Sequence, residues 1–401
     1  MSALLITEAR IATPTGVVDG GWLVAVDGSI AAFGPGSPDH DQLRATVGST
    51  DRDGWDPEVI DAEGSLLVPG FIDIHVHGAR GHDTMDGEVA GLDAMARFFA
   101  THGVTSFLGT TWTASEGETL HALHGVARGM QELDAGARLL GAHMEGPYLA
   151  RSRCGAQDVR WIRPGDLAEA ERFLDTGVVR LMTVAPEVPG NLEVIEACRR
   201  RGTAVAAGHT DATYDQLLDA VARGVRHVTH TFNAMPSLHH RDPGPVAAAI
   251  DANEVTVELI ADGVHVHPAM MRLLYAACGA DRVVLVTDAM HATGMSTETF
   301  PLGDRIVKVG TDAVRLADGT LAGSILTLDV GLRHLSQATG QPISTLWPTV
   351  SRNAARLAGV RDRKGAIQLG MDADLVLVDD RAVVRLTVVE GRVVHRASVS
   401  P

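Results

Sequence analysis

Cysteine is scarce in this 401-residue chain: Cys154, Cys198 and Cys278 are the only three, and none stands in a C-x-x-C spacing. That excludes a disulfide framework and reads as reduced thiols in a cytoplasmic protein. Basic residues are also short, 34 against 50 acidic, for a net charge of −16. That balance argues against a general nucleic-acid surface, leaving room for a local basic pocket, and the excess acid is expected to serve solubility. Aromatics make up only 4% beside 45% hydrophobic residues and 43 glycines, the composition of an Ala/Val/Leu/Gly-rich α/β enzyme rather than of a disordered chain. No uncharged apolar run approaches the roughly 20 residues of a membrane span. The start "MSALLITEAR" has no basic segment followed by a long apolar one, so no signal peptide is evident. Several catalytic signatures are missing too. The H-x-E of "HME" lacks the P-C-x-x-C of a zinc deaminase. An H-E-x-x-H helix, a G-x-S-x-G elbow and a phosphate-binding G-x-x-x-x-G-K-[ST] loop are all absent.

What is present has a clear order. The length suits one large domain with a smaller companion. Residues 1–65 are strand-and-turn material, with breaks at Pro14, Gly16 and Asp27-Gly28, and Ser37 to Glu58 reads as a polar surface loop. Residues 361–401 return to that style in "DADLVLVDD", "VVRLTVVEG" and "RVVHRA". The two ends are expected to build one small β-sandwich domain. Between them, residues 66–360 alternate apolar runs (71–77, 103–109, 138–144, 178–185, 203–208, 225–231, 255–261 and 283–287) with helical patterns, several of which stop at glycine. About eight such units predict an α/β fold, a TIM-like (β/α)8 barrel rather than an open sheet. The stretch from about 295 to 320 breaks the alternation and reads as a β-hairpin insertion over the barrel mouth.

The run "PGFIDIHVHG" puts two imidazoles on an apolar strand. Strict alternation places Ile72, Ile74 and Val76 on one face and Asp73, His75 and His77 on the other. Two histidines at i, i+2 can share one metal ion, and they can equally be hydrogen-bonded core residues. A barrel carries its chemistry at the C-terminal ends of its strands. Here Glu145 ends the third strand, His209 the fifth, His230 the sixth and Asp288 the eighth, while His265 follows the seventh. So many coincidences favour a site over scattered core histidines. His143, on the face of Glu145, is expected to donate to a ligand. His227, on the opposite parity from His230, is expected outside the barrel. His102 reads as a helix cap, and His121, His124, His334 and His395 as surface or structural residues.

The set "GFIDIHVHG", "HMEGPY", "AAGHTDAT", "THTFNAM", "IADGVHV", "LVTDAM" and "LAGSILTL" resembles the N-acetylglucosamine-6-phosphate deacetylases of the amidohydrolase superfamily, over nearly the whole chain and in the expected order. The resemblance implies that Glu145, His209 and His230 are metal ligands, and that His75 and His77 match a pair holding a second metal in some members. One or two divalent ions per subunit are expected, with zinc foremost and iron, cobalt or manganese as alternatives. Asp288 matches the catalytic acid/base, and Asn233 and Ala234 match contacts to the substrate. Arg241 and His265 match groups near the sugar phosphate, the arginine coming from the partner subunit of a homodimer. Leu321, Ala322 and Gly323 match a loop lining the sugar. One departure stands out. Relatives commonly have Gly-Ala-His where this chain has Gly155-Ala156-Gln157, so the side chain near the N-acetyl end of the substrate is neutral. The implied activity is removal of acetate from N-acetylglucosamine 6-phosphate. The alternatives are the galacto epimer, another amide (an N-acyl amino acid or a cyclic amide) and, last, an inactive scaffold, which the retained ligand set disfavours.

Overall fold

The alternating pattern folds into a ring. In the computed structural model, which describes residues 2–39, 43, 57–296, 299–302, 305–310 and 313–397, eight parallel strands lie side by side in chain order. They are Phe71–Val76, Val104–Thr111, Arg138–Glu145, Val179–Val184, Ala204–Ala207, His227–Val228, Thr256–Ile260 and Val283–Val286. The eighth meets the first where the Asp288 N–H donates to the His75 carbonyl and the His77 N–H to the Ala289 carbonyl, both at 2.8 Å. The protein is thus a (β/α)8 barrel.

The helices wrapped around it follow from local sequence. Glu116–Glu132 begins at Ser115, whose hydroxyl accepts from the Glu118 N–H while the Glu118 carboxylate accepts from the Ser115 N–H. Its buried Thr119, Ala122, Leu123 and Val126 recur at helical spacing and face the strands. Asn191–Arg201 ends in three arginines and then Gly202 at φ 76°, so the basic side chains meet the negative end of the helix and glycine takes the left-handed turn.

Two apolar layers result. Phe107, Met182, Val257, Leu285 and their neighbours pack outward against helix residues such as Leu92, Ala170 and Leu274. Ile72, Ile74, Leu108, Leu140, Leu181, Val284 and Val286 fill the lower interior, closed by Ala354, Ala355 and Leu357. The first strand does not alternate as its sequence predicts. Its pairing slips between Asp73 and Val76, three residues spanning two of the neighbouring strand. This bulge sends Val76 to the outer layer and keeps Ile74 inside. The Asp73 carboxylate turns away from the imidazoles, taking the Thr287 hydroxyl at 2.6 Å and the backbone N–H of His75 at 3.3 Å.

Both termini contribute to a second, mostly antiparallel sheet. It runs Arg392–Arg396, Val384–Val389, Leu375–Val378, Leu66–Pro69, Ala3–Thr13, Gly16–Val26, Ser29–Pro35, with Glu58–Asp61 paired to Ala3–Thr13. Only Gly70 separates Leu66–Pro69 from the first barrel strand, and a Cβ there would lie 2.1 Å from the Thr105 hydroxyl. Most of the polar stretch Ser37 to Glu58 lies outside the described residues. In the region after the eighth strand, Thr299–Leu302, Arg305–Val309 and Val314–Arg315 form a small antiparallel sheet. Among the described residues no helix is long and apolar enough to cross a membrane.

Candidate metal centre at the barrel mouth

The strand ends bring two sets of ligand atoms together. Glu145 Oε1 lies 3.1 Å from His209 Nε2 and 3.1 Å from His230 Nε2, and those two nitrogens are 3.1 Å apart. Beside them, Asp288 Oδ1 lies 3.6 Å from His75 Nε2 and 3.4 Å from His77 Nε2. Glu145 stands between the sets, with Oε1 3.4 Å from His75 Nε2 and Oε2 3.4 Å from His77 Nε2. Within each set the donor atoms lie within 4.8 Å of one another. His75 Nε2 and both ring nitrogens of His77 are buried without a hydrogen-bond partner among the described residues. Such atoms are costly to leave bare, and imidazole nitrogens converging on a carboxylate fit a divalent cation. The backbone is also forced here: His209, His230 and Asp288 have φ of 46°, 28° and 48°. Non-glycine residues rarely adopt this region, and each costs about 1–3 kcal/mol.

The electrostatics agree with the geometry. Burial works against charge on each group, and opposite charges outweigh it. Glu145 sits well below the usual carboxylate range beside His75 and His209. Asp288 is lowered beside His75 and His77. Burial also disfavours charge on His77, yet Asp288 and Glu145 lift it to about 9.

A cavity of about 210 Å³ opens over these groups, lined also by Ala156, Gln157, Asn233, Ala234, His265, Leu321 and Gly323. Gly78, just after the two histidines, lets the strand end pass close to its neighbours: a Cβ there would sit 2.2 Å from the His82 carbonyl. His265 Nδ1 is held by Asp262 at 2.6 Å. Burial lowers this histidine, and the bond and charge of Asp262 more than offset that, raising it.

Three candidate residues sit differently from the positions their motifs suggest. Ala322 does not line the cavity; it is buried in a cluster with Met290, Val307 and Val314. Arg241 is exposed on the loop after the sixth strand, its guanidinium 2.8 Å from His240 Nε2 and outside the cavity lining. Gln157 reaches the cavity, but its polar atoms are engaged: Nε2 donates to Glu145 Oε2 at 2.5 Å and Oε1 accepts from the Thr113 N–H at 2.7 Å.

Two other expectations are overturned. His227 is not outside the barrel. It is fully buried, with Nε2 2.9 Å from Glu258 Oε1. The sixth strand ends at Val228, so parity cannot be extended to His230. His143 bonds no ligand. Its Nε2 meets the Thr183 hydroxyl at 2.8 Å and its ring stands edge-on to His75. Burial, then the charge on His75, pushes it down to about 3. Sequence reasoning also missed Trp112, stacked on His77 at 3.7 Å between centroids, and Glu258. The only signal for Glu258 was one acid in the apolar run "TVELI".

Comparison with known proteins follows the same lines. Residues 66–394 match the amidohydrolase family. The N-acetylglucosamine-6-phosphate deacetylase of Bacillus subtilis (strain 168) is 36% identical over 396 residues, covering 98% of this chain and 97% of its own. An N-acetylgalactosamine-6-phosphate deacetylase of Escherichia coli O157:H7 is 35% identical over 390 residues, covering 97% and 98%. A mutant N-acetyl-D-glucosamine-6-phosphate deacetylase of Mycobacterium smegmatis, solved with N-acetyl-D-glucosamine-6-phosphate, superposes with a TM-score of 0.88 at 33% identity, covering 98% and 100%. The chain belongs to the amidohydrolase family and groups with its N-acetylglucosamine-6-phosphate deacetylases.

Proposed function

We propose that this protein is a cytoplasmic hydrolase that removes acetate from N-acetylglucosamine 6-phosphate, leaving glucosamine 6-phosphate. The observation that carries the reading is Glu145, poised between His209/His230 and His75/His77/Asp288 under a cavity lined by Asn233 and His265. Glu145, His209 and His230 would hold one divalent ion, zinc foremost, and His75, His77 and Asp288 would hold a second. An ion bound there supplies Lewis acidity, which polarises the amide carbonyl and makes water acidic enough to attack near neutral pH.

The chain's own residues do the rest. Asp288 takes the proton of the attacking water and returns it to the departing nitrogen, one carboxylate acting as base and then acid. Gln157 is occupied by Glu145 and Thr113, so His265 is the side chain with a ring nitrogen left for the developing oxyanion or a sugar oxygen. Asn233, Ala234, Ala156, Leu321 and Gly323 shape the sugar pocket. Arg241, exposed and outside that pocket, serves the phosphate of a neighbouring subunit's substrate in a homodimer.

The test is acetate release from N-acetylglucosamine 6-phosphate with and without a chelator, with N-acetylgalactosamine 6-phosphate run in parallel. Chelator-sensitive release favouring the gluco epimer supports the reading. Release from the galacto epimer alone moves the substrate, and release from neither removes the reading. The galacto arm is warranted by the Escherichia coli relative and by the neutral Gln157.

A further inference from the structure

Glu258 is fully buried in the middle of the seventh strand, beneath the ligand groups, and takes no part in the chemistry above. Its oxygens are all engaged. Oε2 lies 2.9 Å from His75 Nδ1 and accepts the backbone N–H of His230 at 2.9 Å. Oε1 lies 2.9 Å from His227 Nε2, whose Nδ1 is 2.7 Å from the Thr256 hydroxyl. One carboxylate therefore touches a residue of each ligand set.

The consequence for His75 is specific. An ionised carboxylate only accepts, so Nδ1 of His75 carries a proton, and in the neutral ring that binds a metal Nε2 is then the bare nitrogen. That bare nitrogen is the one facing Asp288 and Glu145 at 3.6 and 3.4 Å, without a hydrogen-bond partner among the described residues. The other tautomer would turn an N–H toward the ion. The bond to the His230 N–H likewise fixes the backbone where φ is 28°. His227 completes the arrangement by taking the remaining oxygen, which keeps the carboxylate plane from rotating off His75.

We propose that Glu258 is a positioning residue for metal binding: it sets the tautomer and aim of His75, making the His75/His77/Asp288 group a working second ion site and tying it to His230. The proposal rests on the reading that these groups hold metal, not on the identity of the amide.

A glutamine at 258 keeps the shape but must turn its NH₂ toward either the His75 or the His227 proton, so one ring has to change tautomer. Wild type, Glu258→Gln and His75→Asn are loaded with zinc, freed of excess, and assayed for metal per chain, with titration by cobalt absorption. Wild type should hold two ions and Glu258→Gln about one, matching His75→Asn, with second-site affinity down by about 10- to 100-fold and unchanged circular dichroism. Should Glu258→Gln fail to fold, nitrogen NMR of histidine-labelled wild type, assigned with His75→Asn, reads the tautomer directly. His75 protonated on Nδ1 supports the proposal.

Two ions bound with wild-type affinity by a Glu258→Gln protein whose His75 has moved its proton to Nε2, a single ion in saturated wild type, or His75 protonated on Nε2 in wild type would each overturn it. Acetate release is scored separately. A wild type that takes two ions, loses one in Glu258→Gln and releases no acetate supports this role while removing the proposed activity.

Discussion

Two of the places where the molecule buries charge are built on opposite plans. Where the terminal sheet meets the barrel, Lys364 Nζ lies 2.7 Å from Asp374 Oδ2, 2.9 Å from Asp372 Oδ2 and 3.6 Å from Glu390 Oε1. Asp374 Oδ1 takes the Glu390 N–H, and Glu390 also binds Arg138 at 2.7 Å. Among the described residues, no buried side-chain polar atom of this cluster lacks a hydrogen-bond partner. At the barrel mouth, by contrast, His75, His77 and His230 leave ring nitrogens bare, and three backbones sit in left-handed conformations. A closed cluster is a structural joint. An open one is unfavourable until something binds, and its residues are held in place by the surrounding barrel rather than by one another.

The sharpest way to break this comparison is to remove one member from each cluster. Lys364→Met leaves Asp374 buried and unpaired, so it should cost about 3–5 kcal/mol of stability. Urea unfolding reads that loss, while metal content per folded chain stays unchanged. A drop under about 1 kcal/mol would mean the joint behaves like a surface pair. Asp288→Asn should do the reverse. Turnover falls by about 100-fold or more, while an ion remains on Glu145, His209 and His230 and the unfolding midpoint hardly moves. Near-wild-type turnover would take Asp288 out of the proton-transfer role.

That contrast also explains what could be read without coordinates. The barrel was legible because eight apolar runs recur with helices between them, and backbone period is a local property. The strand-end groups His75, Glu145, His209, His230 and Asp288 were legible because a barrel places strand ends together. What lies under them was not. Glu258 and His227 meet only because the sixth and seventh strands are neighbours, and no spacing in the chain records that. Parity failed twice for one reason: a bulge at Asp73–Val76 and a sixth strand of two residues reset the face. Gln157 was read as a substrate contact from its motif, and its bond to Glu145 depends on a rotamer that no motif encodes.

Arg241 sharpens the comparison from outside both clusters. It is exposed and, among the described residues, has only His240 hydrogen-bonded to its guanidinium, so its removal should not affect stability or metal content. Arg241→Ala should raise KM for a phosphorylated sugar by about tenfold or more, the scale of a lost charge-assisted bond, and leave an unphosphorylated analogue unaffected. Equal effects on both substrates would remove the phosphate role. A purely monomeric protein in sedimentation, with the KM effect intact, would place Arg241 over its own subunit's site.

The smallest effect expected is one of pH, and it again separates the joint from the mouth. Burial pulls the Lys364 amine down, and Asp374 and Asp372 outweigh that, holding it above its usual value of 10.5. Because the folded value is raised, this ammonium's contribution is fully present below 10.5 and is lost only as pH climbs through the folded value. The joint therefore adds no slope to stability between neutrality and about pH 10, and a falling one beyond. The difference in urea midpoint between wild type and Lys364→Met should stay level across that range and then narrow as the ammonium of wild type is neutralised. A difference that already narrows between pH 7 and 9 would show an amine easily discharged, and the joint would then be as open as the barrel mouth.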